Sequence, residues 1–300
     1  MQTVIGVPAA STPPVPARHV QQRLRRITRK LPVLVILTIA GLAMLFPVLW
    51  ILTTAFGKSN GGLATSNLFP STLSLQNFRM IFNEQSTQDP VLRWIFNSVG
   101  VSAAAAVMVA VIDSLAAFAL ARLRFRGSKV VFTIVVSSLM VPFIALLLPL
   151  YLWFQYLGLL NTYGALVLPY AANAFGVFLL YQFFLGIPQE LQDAAIADGA
   201  SHPQVWWRLF VPLSTGITAT LMVLTFMNVY NDFFWPLVAT SSPDMRTITV
   251  GIEIVAIGQF QTNYTAMMAL TVVSIIPMVI AFIFAQRRLV EGIAVSGLQG

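Results

Sequence analysis

Six long apolar runs constrain the fold of this 300-residue chain more than any other feature of its sequence. A stretch of about 20 predominantly apolar residues is long enough to cross a bilayer as a helix. Backbone groups in lipid must be hydrogen-bonded within the protein, so such runs are expected to be α-helical. The strands of a membrane β-barrel would instead be alternating segments of about 10 residues, a pattern that these runs lack. The runs extend over approximately residues 31–56, 94–120, 130–154, 163–184, 214–239 and 264–284.

The composition agrees with an all-α polytopic membrane protein of six transmembrane helices. Hydrophobic residues make up 57% of the chain and charged residues 9%, whereas a soluble domain carries about 25% charged residues. The chain has no cysteine, which excludes disulfides, thiolate metal sites and thiol catalysis. Its two histidines, His19 and His202, lie in a tail and in a polar loop, and the sequence has no HExxH motif. The sequence therefore predicts no catalytic residue and no metal site.

The distribution of positive charge predicts the orientation of these helices. If the N-terminus is cytoplasmic, 13 of the 17 Lys and Arg residues fall in cytoplasmic segments and 4 fall outside. Lys and Arg are enriched in cytoplasmic loops, so both termini are predicted to be cytoplasmic. The basic cluster between Arg18 and Lys30 is interpreted as a topogenic signal, with nucleic-acid binding as the alternative.

The predicted organisation has three parts and two longer outside segments. A basic cytoplasmic tail covers residues 1–30, a transmembrane domain covers 31–288, and a cytoplasmic C-terminal tail covers 289–300. The longer outside segments are 57–93 and 240–263, and each is too short to be a binding domain in its own right.

A polar segment, residues 188–212, separates the fourth and fifth apolar runs on the predicted cytoplasmic side. Pro188 suits the first turn of a helix, and Gly199 is expected to end or bend that helix. Ser201 can cap a second helix, which Pro212 is expected to stop. The product is a helix–turn–helix with an alanine-rich surface, which either docks a soluble partner or merely connects the two apolar runs.

Two acidic residues lie in or beside apolar runs, where ionisable groups are costly and usually face protein or water. Asp232 is accompanied by amides and aromatic rings, a combination that suits the hydroxyl groups and the C–H face of a sugar. Hydrogen bonding that fixes helix packing is the alternative for this cluster, and it is our interpretation of Asp113. The candidate substrate-pathway residues are Asn173, Asn228, Tyr230, Asn231, Asp232 and Trp235.

The stretch DAAIADGASHPQVWWRLFVPL, residues 193–213, resembles the EAA loop of the permease subunits of ABC importers. Asp193 stands where that family has Glu, while the Asp-Gly-Ala block and the spacing to Pro212 match the family pattern. The resemblance covers about residues 30–300, and Gln299 departs from it where Lys is common. Further stretches are similar to the carbohydrate-importer branch, in particular to the smaller maltose-type permease: WIFNSVGVS, AAFALARLRFRG, GLLNTYGALVLPY, YNDFFWPLV and RRLVEGIAVSGLQG.

In such importers this loop forms a cytoplasmic coupling helix, between transmembrane helices 4 and 5, that sits in a cleft of the ATPase subunit. The resemblance implies a permease that forms half of a translocation pathway for a sugar, such as an oligosaccharide or related polyol, in a prokaryotic plasma membrane. It also implies as partners a second homologous permease subunit, two cytoplasmic ATPase subunits and an extracytoplasmic solute-binding protein. The ATPase-coupling residues that it implies are Glu190, Asp193, Ala194, Ala195, Asp198, Gly199 and Ala200.

The chain carries no phosphate-binding Gly-Lys-Ser/Thr loop. We therefore expect no cofactor on this chain and expect ATP and Mg to be used by the partner subunits. The alternative function is that of a secondary, ion-coupled solute transporter, a class that favours internal repeats and ionisable residues near the membrane midplane. The sequence shows no convincing internal repeat, and one acidic site gives that alternative little support.

Overall fold

The computed structural model describes residues 18–57, 72–83, 90–123, 125–257 and 264–297. Every regular element in these ranges is a helix, so the all-α prediction is confirmed for the described residues. The chain divides into two compact units, residues 1–50 and residues 51–300. Residues 1–17 of the predicted basic tail, and residues 298–300 of the predicted C-terminal tail, lie outside the described residues.

The described α-helices are, in chain order, α1 Arg18–Ala55, α2 Gln76–Phe82, α3 Val91–Arg122, α4 Ser128–Ser137, α5 Phe143–Tyr156, α6 Tyr163–Val167, α7 Ala174–Leu185, α8 Gln189–Ala197, α9 His202–Val205, α10 Val211–Leu213, α11 Thr215–Asn231, α12 Phe234–Ala239, α13 Ile248–Ile257 and α14 Tyr264–Gly297. Three 3₁₀ turns, Ser138–Met140, Leu168–Tyr170 and Pro243–Met245, and one π turn, Trp206–Phe210, supplement them in the described residues.

Three helical stretches among the described residues are long and apolar enough to cross a membrane: Pro32–Ala55, Val91–Arg122 and Tyr264–Phe284. They correspond to the first, second and sixth apolar runs of the sequence. Three further candidates in the described part of the chain are helix pairs bent by 103°, 42° and 80°. The described residues therefore contain three clear spans, or up to six if each bent pair counts as one, and the six-span topology stays a prediction.

Three of the apolar runs that were predicted as spans are interrupted. The run 130–154 is interrupted between α4 and α5, and the run 163–184 between α6 and α7. The run 214–239 is interrupted between α11 and α12. The sequence predicted a span over each of these three runs but not the interruptions, whereas the predicted break at 158–164 is confirmed, because it separates α5 from α6.

Local backbone chemistry explains the three breaks. Val141 has an extended conformation (φ −84°, ψ 115°), because the residue before a proline is disfavoured in the helical region. Asn173 Oδ1 accepts from the Phe175 N–H at 2.9 Å, and Asp232 Oδ1 accepts from the Phe234 N–H at 3.1 Å. Both Asx side chains thus bond to the backbone two residues on, which competes with the helical hydrogen bonds.

Helix α3 lies between α7 and α11 in the unit of residues 51–300. Its buried face is rich in small residues, and Ala105 and Ala117 are completely buried. Small residues let membrane helices approach closely. Near the end of α3, the Phe210 ring meets those of Phe118 and Phe184 edge to face, with centroids 5.0 and 5.1 Å apart. These rings connect the bundle to the 188–212 loop.

The outer surface of this unit is apolar. Large side chains such as Leu148, Trp153 and Phe284 are 64%, 62% and 79% exposed. Exposed apolar surface on this scale marks contact with a membrane or with protein. Together with the long apolar helices, it supports a membrane protein.

Candidate coupling loop and transport cavity

The first helix of the 188–212 loop, α8, ends as the sequence predicts. The Ala200 N–H donates to Ala195 O at 3.0 Å, and the Gly199 N–H donates to Ile196 O at 2.9 Å. This pair of bonds is a Schellman motif, in which the residue after the helix takes a left-handed conformation. Gly199 has φ 86°, so its missing side chain is what the turn requires.

The second helix of the loop begins and ends close to where the sequence predicts. The Ser201 N–H donates to Gln204 Oε1 at 2.8 Å, which is half of a capping box. The helix ends at Leu213, directly after Pro212, and the direction changes by 80° between α10 and α11. The predicted stop at Pro212, before the next span, is therefore confirmed to within one residue. A proline clashes with the preceding helical turn, and the wider π turn Trp206–Phe210 directly before it relieves that conflict.

The two sides of α8 differ in exposure. Ala195 and Ala200 are half-buried and pack against the hydrophobic cluster beneath the loop. Leu191 and Ile196 add apolar surface outside, at 45% and 40% exposure. The outer surface is otherwise acidic and small, which suits a partner with basic side chains that must approach closely. The exposed members of the predicted contact set are Glu190, Asp193, Ala194, Asp198 and Gly199.

A buried arginine fixes the base of the loop. Arg122, the last residue of α3, is 9% exposed. Its guanidinium donates to the carbonyl oxygens of Phe184 and Ile187 and, at 2.9 Å, to Gln189 Oε1. The centroid of the Phe210 ring lies 5.1 Å from Arg122 Cζ. In the sequence, Arg122 is one of the basic residues of a predicted cytoplasmic segment, and a count of charges carries no signal that distinguishes a buried arginine from a solvated one.

A polar cleft of about 490 Å³ opens beside this arginine. Gln189, Gln192 and Asp193 line it from α8, and His202 lines it from α9. The cleft lies between α8 and the turn after α3, so the loop contacts the bundle here through the arginine, and elsewhere through Ala195, Ala200 and the Phe210 ring.

The three helix breaks meet at one larger cavity of about 600 Å³, which we name the breakpoint cavity. Ser138 and Val141 line it from the break after α4, Tyr170 and Asn173 from the break before α7, and Asp232 from the break after α11. Irregular backbone at membrane depth is tolerated where it is buried or lines a cavity. Binding sites in transporters are typically formed by such interrupted helices, so this cavity is the candidate solute site.

Four of the six candidate pathway residues line the breakpoint cavity: Asn173, Asn228, Asn231 and Asp232. The Asp232 carboxylate also accepts a hydrogen bond from the Tyr170 hydroxyl. Tyr170 therefore links the breaks of two spans across the wall of the cavity. Sequence reasoning missed Tyr170 because it lies 62 residues from Asp232 in the chain.

The other two candidate pathway residues lie away from the cavity. The Tyr230 hydroxyl donates to Ser274 O at 2.7 Å, and Trp235 Nε1 donates to Ala165 O at 2.8 Å. Both side chains are almost completely buried. They join neighbouring helices, which is the packing role that the sequence left open as the alternative.

Asp113, in α3, contacts the start of α7 next to the breakpoint cavity. It is completely buried, and its Oδ1 accepts from the Asn173 N–H at 3.0 Å. A Cβ at Gly176 would lie 2.1 Å from Asp113 Oδ2, so α3 and α7 are in close contact here. The interpretation of Asp113 as a packing residue is confirmed.

Comparisons with known proteins agree with this arrangement. Residues 113–295 match the family model described as binding-protein-dependent transport system inner membrane component. The chain is 36% identical over 260 residues to the arabinooligosaccharides transport system permease protein AraQ of Halalkalibacterium halodurans, covering 85% of this chain and 91% of the relative. It is 30% identical over 269 residues to the lactose transport system permease protein LacG of Rhizobium radiobacter, covering 89% and 96%.

A solved structure has the same fold. It is a chain from the crystal structure of a bacterial ABC transporter involved in the import of the acidic polysaccharide alginate. The TM-score is 0.77 at 23% sequence identity, and the match covers 88% of this chain and 97% of that chain.

Proposed function

We propose, from the premise that this chain belongs to the family of binding-protein-dependent transport system inner membrane components, that it is a permease subunit of an ATP-driven sugar importer. The relatives named above are sugar transport permeases, which supports a carbohydrate as the solute. We place the protein in a prokaryotic plasma membrane, where it forms half of the translocation pathway and a second homologous permease forms the other half.

The observation that carries this proposal is the geometry of the 188–212 loop. Helix α8 and the residue directly after it present three exposed carboxylates, those of Glu190, Asp193 and Asp198, beside the small Ala194 side chain. Carboxylates pair with Lys or Arg of a partner, and an alanine permits close approach. A short exposed helix that is held from below by Arg122 is suited to receive the movement of a separate ATPase, which binds and hydrolyses ATP with Mg.

The breakpoint cavity supplies the solute-binding part of the proposal. Its volume of about 600 Å³ lies within the range of about 300–1,000 Å³ usual for small-molecule sites. The amides of Asn228 and Asn231 offer hydrogen bonds to hydroxyl groups, and the ring of Phe143 offers a face for sugar C–H groups. An oligosaccharide would enter one or a few units at a time, after release from a solute-binding protein that docks on the outer side.

Uptake by the whole complex in proteoliposomes tests the proposal. We expect accumulation of at least one sugar from a panel of labelled di- and oligosaccharides, and this accumulation should need ATP on the cytoplasmic side and binding protein on the other. Matched vesicles with ADP in place of ATP provide the control. ATP-independent uptake by the purified chain alone, driven by an ion gradient, would instead identify a secondary transporter and contradict the proposal.

A further inference from the structure

We infer that Arg122 is the positioning residue through which a movement of α8 reaches the membrane helices α3 and α7. The inference rests on the proposed function, because it requires α8 to receive the movement of an ATPase. It deepens that function by naming a residue outside the 188–212 loop that transmits the movement.

Arg122 occupies an environment that is unusual for a residue in a basic stretch. It is 9% exposed, whereas Arg126, four residues later, is exposed. A buried guanidinium is costly unless hydrogen bonds satisfy it. The two terminal nitrogens of Arg122 donate to three acceptors between the end of α7 and the start of α8, whereas its buried Nε–H has no partner among the described residues. Arg122 is therefore held through the two ends of its fork.

The hydrogen bonds of Arg122 join the ends of three helices. Arg122 itself closes α3, Phe184 lies in the last turn of α7, and Gln189 is the first residue of α8. The last carbonyl groups of a helix have no partner within it, and a cation at that end is favoured by the helix dipole. The Phe184 carbonyl already accepts from the Ile187 N–H at 3.1 Å, so the guanidinium adds a further donor to the end of α7 while it holds the start of α8.

A further contact ties the returning half of the loop to the same cation. The Phe210 ring, in the π turn, is completely buried and lies 5.1 Å from Arg122 Cζ. A guanidinium over an aromatic face is attracted by the ring quadrupole. Because packed interiors resist compression, α8 and the ring cluster around Phe210 should move as one body with α3 and α7.

A planar, forked donor is needed for this arrangement. A lysine ammonium keeps the charge but cannot reach several divergent acceptors with a fixed geometry. Without the arginine, α8 could tilt while α3 stays in place. The ATPase would then continue to hydrolyse ATP, but less of its movement would reach the membrane helices α3 and α7. The expected signature is therefore a smaller number of sugar molecules transported per ATP hydrolysed.

The test compares Arg122→Gln and Arg122→Lys with wild type in the whole complex, with uptake and ATP hydrolysis measured in the same proteoliposomes. We expect Arg122→Gln to lower the ratio of uptake to hydrolysis about tenfold, because buried acceptors lose their donor, and Arg122→Lys to lower it less. Arg126→Gln is the matched control. It removes an exposed charge from the same cytoplasmic stretch and should leave the ratio unchanged.

The outcomes separate the inference from the proposed function. A wild-type ratio in Arg122→Gln overturns the inference, including when less complex assembles, because a purely structural role lowers the amount of complex without changing its stoichiometry. Absence of ATP-dependent uptake in the wild-type complex overturns the proposed function itself.

A distance measurement keeps the inference testable in the complex with Arg122 intact. The chain has no native cysteine, so spin labels can be placed at Leu115→Cys in α3 and Leu191→Cys in α8, which are 43% and 45% exposed. We expect the same distance distribution in the nucleotide-free and the ATP-bound complex. A shifted distribution between the two states would show that α8 moves relative to α3, which overturns the inference.

Discussion

Two glycines, Gly176 and Gly251, lie where helices approach each other most closely among the glycines of the described residues. A Cβ added at Gly251 in α13 would lie 2.1 Å from Cε3 of Trp94 in α3. The Trp94 ring cannot move aside, because it is completely buried and its Nε1 donates to Pro243 O at 2.7 Å. The position therefore tolerates no side chain unless the two helices separate.

We predict that Gly251→Ala destabilises the protein by overpacking, at a cost of about 1–3 kcal/mol. The thermal midpoint of the purified complex should fall accordingly. Gly100→Ala is the control, since Gly100 also lies in a helix but has no atom within 4 Å of the added Cβ. Equal midpoints for the two variants would contradict the packing that the structure shows between α3 and α13.

Individual residues were predictable from the sequence where their type alone determines their role. Gly199 follows a helical stretch and precedes a capping serine, so its left-handed turn could be predicted. Arg122 and Tyr170 could not, because their roles depend on acceptors 62 to 67 residues away in the chain. The candidate pathway residues have two different roles because their side chains point in different directions. Tyr230 and Asn231 are neighbours in α11, but only Asn231 lines the breakpoint cavity.

The breaks are the most informative feature at the scale of helices. Each of the three interrupted runs contributes to the breakpoint cavity, and the cavity owes its polar wall to them. Hydropathy predicted where the runs lie but not where they bend, because a run remains apolar whether its backbone is straight or turned. Asn173 and Asp232 were singled out as polar residues in apolar surroundings, and the structure adds that both end or begin a helix.

The turn after α8 gives a prediction at this scale. Gly199 has φ 86° and no atom within 4 Å of an added Cβ, so backbone conformation rather than space requires glycine. We predict that Gly199→Val, which forces a β-branched residue into that conformation at about 1–2 kcal/mol, lowers ATP-driven uptake about tenfold. The variant should still reach the membrane, because the change is confined to the loop.

Gly199→Asn is the matched control for this variant. Asparagine is similar in size to valine but tolerates the left-handed region, so uptake should stay within about twofold of wild type. If both variants lose uptake equally, side-chain bulk at the partner surface, and not the Schellman turn, limits the function of the loop.

The orientation of the whole chain in the membrane can be tested. The excess of Lys and Arg in alternate segments predicts that both termini and the 188–212 loop are cytoplasmic. Single cysteines at Asp198 and Asp244, both exposed, should react with an impermeant thiol reagent from opposite sides. We expect Asp244→Cys to react in intact cells and Asp198→Cys to react only in inverted vesicles, and the reverse result would contradict the predicted topology.

The fold class of the whole molecule could be predicted from the sequence, because lipid restricts the conformations that a backbone can adopt. Apolar runs in a bilayer must be helical, so the fold class followed from hydropathy, and the family followed from the motif between the fourth and fifth runs. The three broken spans and the cavity between them could not follow, because they depend on contacts among helices that are far apart in the chain.

Site-directed crosslinking shows whether α8 and its glycine turn dock on a separate ATPase, as the proposed function requires. A photoactivatable thiol reagent at Asp198→Cys, in a chain that has no other cysteine, should crosslink to the ATPase subunit of the assembled complex, with Asp244→Cys as the negative control. We expect a crosslinked product from the Asp198→Cys variant alone, identified by mass spectrometry as a subunit with a phosphate-binding loop. If Asp198→Cys yields no such product in a complex that contains the ATPase, α8 does not dock on the ATPase and the proposed function is wrong.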